Sequence, residues 1–299
     1  MTTVLQLMWS GLISGFAYAL IGLALVLVYK TARILNFAAG TMAGFGGFLS
    51  YWFFSEKGLP WGVAVLLSLI LSGLGTAVIE RLTIRPLIDK GFLAIVVMTL
   101  GIEVFLANIS LEWWGGTAKN FAVPFDLNRT NWTINLGPID GLRINAWHVV
   151  IGVITFAILA IVGYIINRTE LGLAMRAFAE DQDAAKLMGI KESTVSQVTW
   201  VMSAVVGSLT GILFAPVLFL QQDYMNIIFI KGFVAAILGG FTSLSGGVFG
   251  GLLLGELEAF AVKYAPSEVA AALPIVIVFA ILLLRPRGLF TRAKSHERV

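Results

Sequence analysis

A chain of 299 residues that is 58% hydrophobic and 12% charged lies far from the roughly 45–50% apolar, ~25% charged composition of soluble domains, which leaves a membrane protein as its class. The formal net charge of +3 comes from basic residues scattered through short loops, so it marks the sides of a membrane and gives no footing for nucleic acid. Cysteine is absent, which removes disulfides and cysteine-held metal.

A helix that crosses ~30 Å of hydrocarbon at 1.5 Å per residue needs about 20 apolar residues. The first such window, 4–29, precedes Lys30, the first basic residue; it lacks the basic flank of a cleavable signal and is expected to remain as a helix. The second, 35–54, opens on NFAAGT, where Asn36 and Thr41 lie among small residues that permit close helix packing or a broken helix. Windows at 61–80 and 93–113 follow, the latter with Glu103 near its middle and Asn108 close by. An acid at that depth is costly and is a functional candidate for that reason.

Residues 115–146 form a long outer loop whose second half alternates. Ile134 and Leu136 precede Gly137-Pro138-Ile139-Asp140-Gly141, and Leu142 and Ile144 follow, which predicts a small β-hairpin. It offers either a docking surface for a soluble partner or a lid over helix ends. Asn128-Arg-Thr and Asn131-Trp-Thr fit the glycosylation acceptor pattern.

After the window at 147–166 a polar segment, 167–194, interrupts, and 197–220 resumes the apolar pattern. The window at 228–240 is short, is broken by Gly239-Gly240, and is joined by FTSLSGG to 246–264; it reads as a tilted span or as a re-entrant half-helix. Glu256 and Glu258 fall in 246–264, the final window covers 269–284, and a basic tail occupies 285–299. The expected fold is all-α, a polytopic membrane bundle of eight to nine segments in a single domain over 1–299.

Lys and Arg concentrate on one side. Lys30 and Arg33, then Arg81, Arg85 and Lys90, then Arg168, Arg176, Lys186 and Lys191, then Arg285, Arg287, Arg292, Lys294 and Arg298 share it if the N-terminus lies outside. That places the N-terminus outside and the C-terminus in the cytoplasm, which requires an odd number of crossings. Nine spans, or seven plus a re-entrant hairpin, satisfy it equally.

Within 167–194 the residues Leu171, Met175, Phe178, Gln182, Ala185 and Met188 recur at spacings of three and four, which predicts one amphipathic helix over about 171–188, ending at Gly189. Arg176 and Glu180 pair at i,i+4 on another face, and Asp183 and Lys186 at i,i+3. A helix lying on lipid would carry a strongly basic polar face. Here acids balance bases, and small residues such as Gly172 and Ala177 admit a neighbouring backbone, so a protein partner is the better reading.

The pattern T-x-L-G-x-A-x-R-A-x-A-x-D-x-x-A-A-x-L-x-G-I from Thr169 to Ile190 resembles the cytoplasmic coupling segment of ABC importer permeases for branched-chain amino acids, the LivH type. ILNFAAGTMAGFGGFL at 34–49, ER with RPL at 80–87, KGFVAAILGGFTSLSGGVFGGLLLGELE at 231–258 and RPRGLF at 285–290 match the same family in order along nearly the whole chain. The sequence departs from it at Ala39, where His is common, and at Glu256, where an uncharged residue is usual. The resemblance implies a permease in the bacterial inner membrane that pairs with a second, homologous permease. Two cytoplasmic ATPases that hold ATP-Mg would sit below it and a periplasmic binding protein above. It implies ATPase coupling by Leu171, Gly172, Met175, Arg176, Phe178, Asp181, Ala185 and Gly189, with Leu171, Met175 and Phe178 as buried anchors and Arg176 and Asp181 at the rim. Asn36, Thr41, Glu103, Asn108, Ser245 and Glu258 become the expected lining of a translocation pathway for small hydrophobic amino acids. Urea or short amides are the alternative cargo.

No cofactor is expected on the chain itself, which lacks the G-x-x-x-x-G-K-[ST] phosphate loop. An intramembrane serine protease would need a histidine near its serine, and the two histidines, His148 and His296, lie at a helix start and in the tail. A secondary transporter shares the composition but has no use for a coupling helix.

Overall fold

A helix that is apolar on every side can be buried on every side, and the first helix sets the architecture on that basis. The computed structural model describes residues 2–127, 129–136, 139–285 and 288–290. The acceptor Asn128, the turn residues Gly137 and Pro138, and the tail residues Arg287, Arg292, Lys294, His296 and Arg298 lie outside the described residues. Among those described, seven helices are long and apolar enough to cross a membrane. They are α1 (Thr2–Ala32), α3 (Trp61–Ile79), α4 (Phe92–Trp114), α5 (Ala146–Arg168), α8 (Glu192–Leu218), α10 (Leu244–Tyr264) and α11 (Ser267–Leu284). The apolar window of α1 is 89% buried, against 22% for α3 and α4 and 11% for α11. The bundle is therefore built around α1, with the last three facing outward.

Glycine lets α1 and α10 approach. Gly247, Gly251 and Gly255 recur every fourth residue on α10, and a Cβ at each would meet the α1 chain near Gly22, Ala19 and Gly15. Small residues at this spacing let backbones touch in a solvent that supplies no hydrophobic drive between helices. Gly46 and Gly47 do the same for α2 (Ala39–Tyr51) against Ser208 of α8 and Tyr224.

One further apolar helix, α9 (Asn226–Gly239), is too short to cross, while α2 runs on through a π-helical turn, Trp52–Glu56, and is not among the seven. Each is preceded by non-helical chain inside the bundle. After Ala32 the chain turns at Arg33, whose φ is 57°. It then climbs without helical bonds through Ile34 to Ala38, both buried, before α2 begins inside the bundle. At the far end of α8 the chain turns at Phe219, φ 60°, and descends past Tyr224 to start α9 at the same depth, where Phe229 and Met225 lie against Gly40. The two helices run in opposite directions from there. The window at 228–240 holds the short helix α9, and the start of the window at 35–54, where the sequence admits a broken helix, is non-helical chain ahead of α2.

The bundle has two distinct ends. At one, β1 (Asn131–Leu136) and β2 (Ile139–Asn145) pair antiparallel, Trp132 opposite Ile144 and Ile134 opposite Leu142, as the alternation predicts. Gln6 fastens this hairpin to α1 by bonds to the carbonyl and N–H of Arg143 at 3.2 and 3.0 Å. At the other end Arg85 donates to the carbonyl of Ser193, and Gln182 donates to that of Thr31. The basic loops of the sequence are gathered there, and this is called the basic end below.

Candidate functional site

The N-terminal turn of a helix leaves backbone N–H groups without partners. Neither α2 nor α9 supplies a side-chain cap: their first residues follow Ala38 and Met225. Asn36 instead turns back on its own loop, its Oδ1 accepting from the N–H of Ala38 at 3.0 Å. Asn36 and Thr41 are 3% and 5% exposed. Two helix starts, each with a partial positive charge, therefore sit beside one another within the membrane-spanning part of the fold. Phe37, Phe229, Phe233 and Phe241 form a chain of ring contacts along α9 beside them.

Another side of α9 carries a charge cluster. Lys231 forms an ion pair with Glu258 of α10, and Tyr18 of α1 donates to the other carboxylate oxygen at 2.7 Å. Lys231 also donates to the Tyr18 hydroxyl at 3.2 Å. An acid and a base at membrane depth are held there only by partnership, and this partnership ties α9 to both of its long neighbours. Glu258 was expected from the sequence, whereas Lys231 and Tyr18 were not. The available signal was a single lysine inside the apolar run 228–240, which needs an acid on the next helix.

The other expected pathway residues are not brought to this region. Asn108 lies on the exposed side of α4, away from its buried row of Ile102, Leu106 and Ser110, and Glu103 is half-buried at the edge of that row. Asn108 bonds to the carbonyl of Val104 on its own helix, and Glu103 has no polar partner among the described residues. Ser245 lies at the basic end, 3.4 Å from Ser243 in oxygen separation.

The segment expected as one helix over 171–188 is two, α6 (Glu170–Glu180) and α7 (Gln182–Leu187). Thr169 caps the first, its hydroxyl accepting from Gly172 N–H. Asp181 breaks the run with extended backbone and caps the second, its carboxylate accepting from Asp183 and Ala184 N–H at 3.0 Å each. A short acid that satisfies two free N–H groups outcompetes one more helical turn. Gly172 lies over the carbonyls of Ile165 and Ile166, where a side chain would not fit, and Gly189 ends α7 at φ 84°.

The apolar stripe of this segment faces inward. Met175, Phe178 and Ala185 are 2–4% exposed and pack with Leu20 and Leu27 of α1 and with Ile158, Val162 and Ile166 of α5. Met175 and Phe178 thus anchor the segment to its own bundle. The apolar side chains left in the open are Leu171 and Leu173, with Leu187 and Met188 at 89% and 85% exposure. At the basic end Glu80 is fully buried, accepts from Ser196 at 2.8 Å and pairs with Arg85 at 3.3 Å. This clasp joins the end of α3 to the start of α8.

The chain matches the family described as "Branched-chain amino acid transport system / permease component" over residues 7–284. It is 28% identical over 303 residues to the high-affinity branched-chain amino acid transport system permease protein LivH of Salmonella typhimurium, covering 98% of this chain and 97% of that one. Against the corresponding protein BraD of Pseudomonas aeruginosa it is 29% identical over 307 residues, with the same coverage. A probable LivH of Methanocaldococcus jannaschii is 27% identical over 294 residues, 90% of this chain and 87% of that one. No solved structure matches the chain.

Proposed function

The chain belongs to the family of permease components of branched-chain amino acid transport systems, and from that premise we propose that it is the membrane subunit of an ATP-driven importer for branched-chain or other small hydrophobic amino acids. The observation that carries the reading is the pair of helices that start inside the bundle after non-helical chain. Non-helical backbone at membrane depth is tolerated where protein or a water-filled path surrounds it, and helix starts without side-chain caps inside the bundle suit the carboxylate of an amino acid. The N-termini of α2 and α9, with Asn36 and Thr41, are the proposed contact for that carboxylate, and the Phe37–Phe233 rings the apolar wall for the side chain.

In this reading the basic end is cytoplasmic and the hairpin end, with the N-terminus, is periplasmic, in keeping with the lysine and arginine distribution. A periplasmic binding protein delivers substrate to the hairpin end. Two ATPase subunits, which hold ATP-Mg, dock at α6 and α7, with Leu171, Leu187 and Met188 as the apolar contacts. Because Met175, Phe178 and Ala185 fasten α6 and α7 to α1 and α5, a pull on the segment is delivered to the centre of the bundle. A second, homologous permease lies against α4, where Glu103 and Asn108 are polar groups unsuited to lipid.

Uptake of labelled leucine by proteoliposomes holding the chain and its partner subunits tests this. ATP-dependent uptake that Leu187→Asp/Met188→Asp abolishes, with the complex still assembled, supports it. Uptake that persists without ATP moves the protein to secondary transport, and uptake of urea in place of leucine keeps the architecture and replaces the cargo.

A further inference from the structure

A cavity of about 1290 Å³ opens at the basic end between α1, α5, α10 and α11, with α6 as its floor. Pockets for small ligands run to about 300–1,000 Å³, so a single amino acid would leave most of it empty. Its two halves differ in chemistry. The floor presents Lys30, Arg33 and Arg176, with Asn167 and the first turn of α10 at Ser243 beside them. Above the floor the wall is hydrocarbon: Leu23, Leu159, Val162, Val248, Phe249 and Leu282.

The depth is informative. From Asn167 at the floor to Leu159 at the top, the α5 wall rises about 12 Å at 1.5 Å per residue. Half of a ~30 Å hydrocarbon core is about 15 Å, so the cavity is close to one leaflet deep. Phe249 and Leu282 are 55% and 49% exposed, and the apolar wall continues into the outer face of the bundle.

The charge at the floor is out of balance. The ion pairs Glu80–Arg85, Lys186–Glu192 and Lys231–Glu258 use none of Lys30, Arg33 and Arg176. The charged groups acting on Lys30 are Arg176 and Glu180, and Arg33 lines the same cavity, so its lining holds three cations and one carboxylate. Arg33 is held there by a left-handed backbone, φ 57°, a conformation that non-glycine residues occupy at a cost. The first turn of α10, capped by Ser243 at 3.0 Å from Gly246 N–H, adds a partial positive charge.

Basic pockets between membrane helices at the headgroup level suit anionic lipid headgroups. We propose that this cavity holds one anionic phospholipid of the leaflet at the basic end, its phosphate between Lys30, Arg33 and Arg176 and its acyl chains along Val162, Val248 and Leu282. A soluble peptide from a partner could meet the cations but would leave the hydrocarbon wall uncovered. Because Arg176 belongs to α6 while the other walls belong to α1, α5, α10 and α11, the lipid joins the segment at the basic end to the spans above it.

The test uses the full chain, purified in detergent and stripped of lipid, with phosphatidylglycerol, phosphatidylcholine of the same acyl chains, or inorganic phosphate added back. Thermal unfolding and native mass spectrometry read binding. Phosphatidylglycerol is expected to stabilise the wild type and to remain bound at one molecule per chain. Lys30→Gln/Arg33→Gln is expected to weaken that binding roughly 10- to 30-fold while unfolding as the wild type does in phosphatidylcholine. A second variant leaves every charge in place: Gly163 lines the cavity and a Cβ there meets nothing within 4 Å, so the side chain of Gly163→Phe starts in open space and is expected to occupy the acyl region and expel the lipid. Equal stabilisation by phosphatidylcholine, full replacement by inorganic phosphate, or unchanged selectivity in both variants overturns the proposal.

Discussion

Single residues fix the places where this chain departs from regular helix. Arg33 ends α1 with φ 57° and an N–H bond to the carbonyl of Tyr29 at 2.9 Å, the position where helices usually carry glycine. Relief of left-handed strain, about 1–2 kcal/mol, less the added freedom of an unfolded glycine, predicts that Arg33→Gly raises unfolding stability by about 0.5–1 kcal/mol, measured by thermal denaturation in micelles. Arg85→Ala is expected to do the reverse, since it leaves the buried Glu80 carboxylate with Ser196 alone. Loss of one partner of a buried pair costs about 3–5 kcal/mol, and because the Arg85 side chain is 34% exposed the expected loss is nearer 2–3 kcal/mol. Gly251 faces the backbone at Ala19, so Gly251→Leu must push α1 and α10 apart. An expected cost of about 3 kcal/mol or more would appear as a lowered melting temperature or as loss of folded protein. These three positions were legible to different degrees. The glycines of α10 recur in the sequence at a four-residue spacing, but a strained arginine and a buried Glu80 leave no periodic trace, because their roles depend on residues distant in the chain.

Among the elements, α6 and α7 show how a correct pattern was assigned the wrong neighbour. The three- and four-residue spacing of Met175, Phe178 and Ala185 identified an apolar face, yet periodicity says only that a face is covered. The structure covers it with α1 and α5 of the same chain. The break at Asp181 was present in the sequence as an acid followed by Gln-Asp-Ala, a capping arrangement hidden inside a run of good helix formers. Asp181→Ala removes a cap worth about 1 kcal/mol, and faster amide hydrogen exchange confined to 182–187 is the expected result. An unchanged exchange rate there would show that packing of Ala185, and not the cap, holds α7. The hairpin was legible from its alternation and its turn residues, because a strand with one covered face needs nothing beyond itself and its partner.

At the level of the whole molecule, the membrane class, the helical windows and the family resemblance were readable from the sequence, while the path of the chain through the membrane was not. Hydropathy averages over about 19 residues and therefore joined the extended lead-in 34–38 to α2 as one span. Its single indication of trouble was the short window at 228–240. What decided the outcome is tertiary: Ile34 and Ala38 are buried within the bundle, so their backbone needs no lipid-facing helix.

The short helix α9 has 14 residues, about 21 Å of helix, and it ends in a loop at the basic end followed by α10. A segment of that length does not satisfy the hydrocarbon by itself, so during biosynthesis it cannot partition into the bilayer as an independent stop-transfer sequence. It must wait for α10 to be made, whose glycine face and Glu258 receive it. The translocation machinery would accordingly handle α9 and α10 as one insertion unit. A topology reporter placed after Thr242 in the full-length chain is expected to map to the basic end, and the same reporter at the end of a chain truncated there to map to the opposite side. Identical readings from both would mean that α9 inserts unaided, and that the final helices refine its position without determining it.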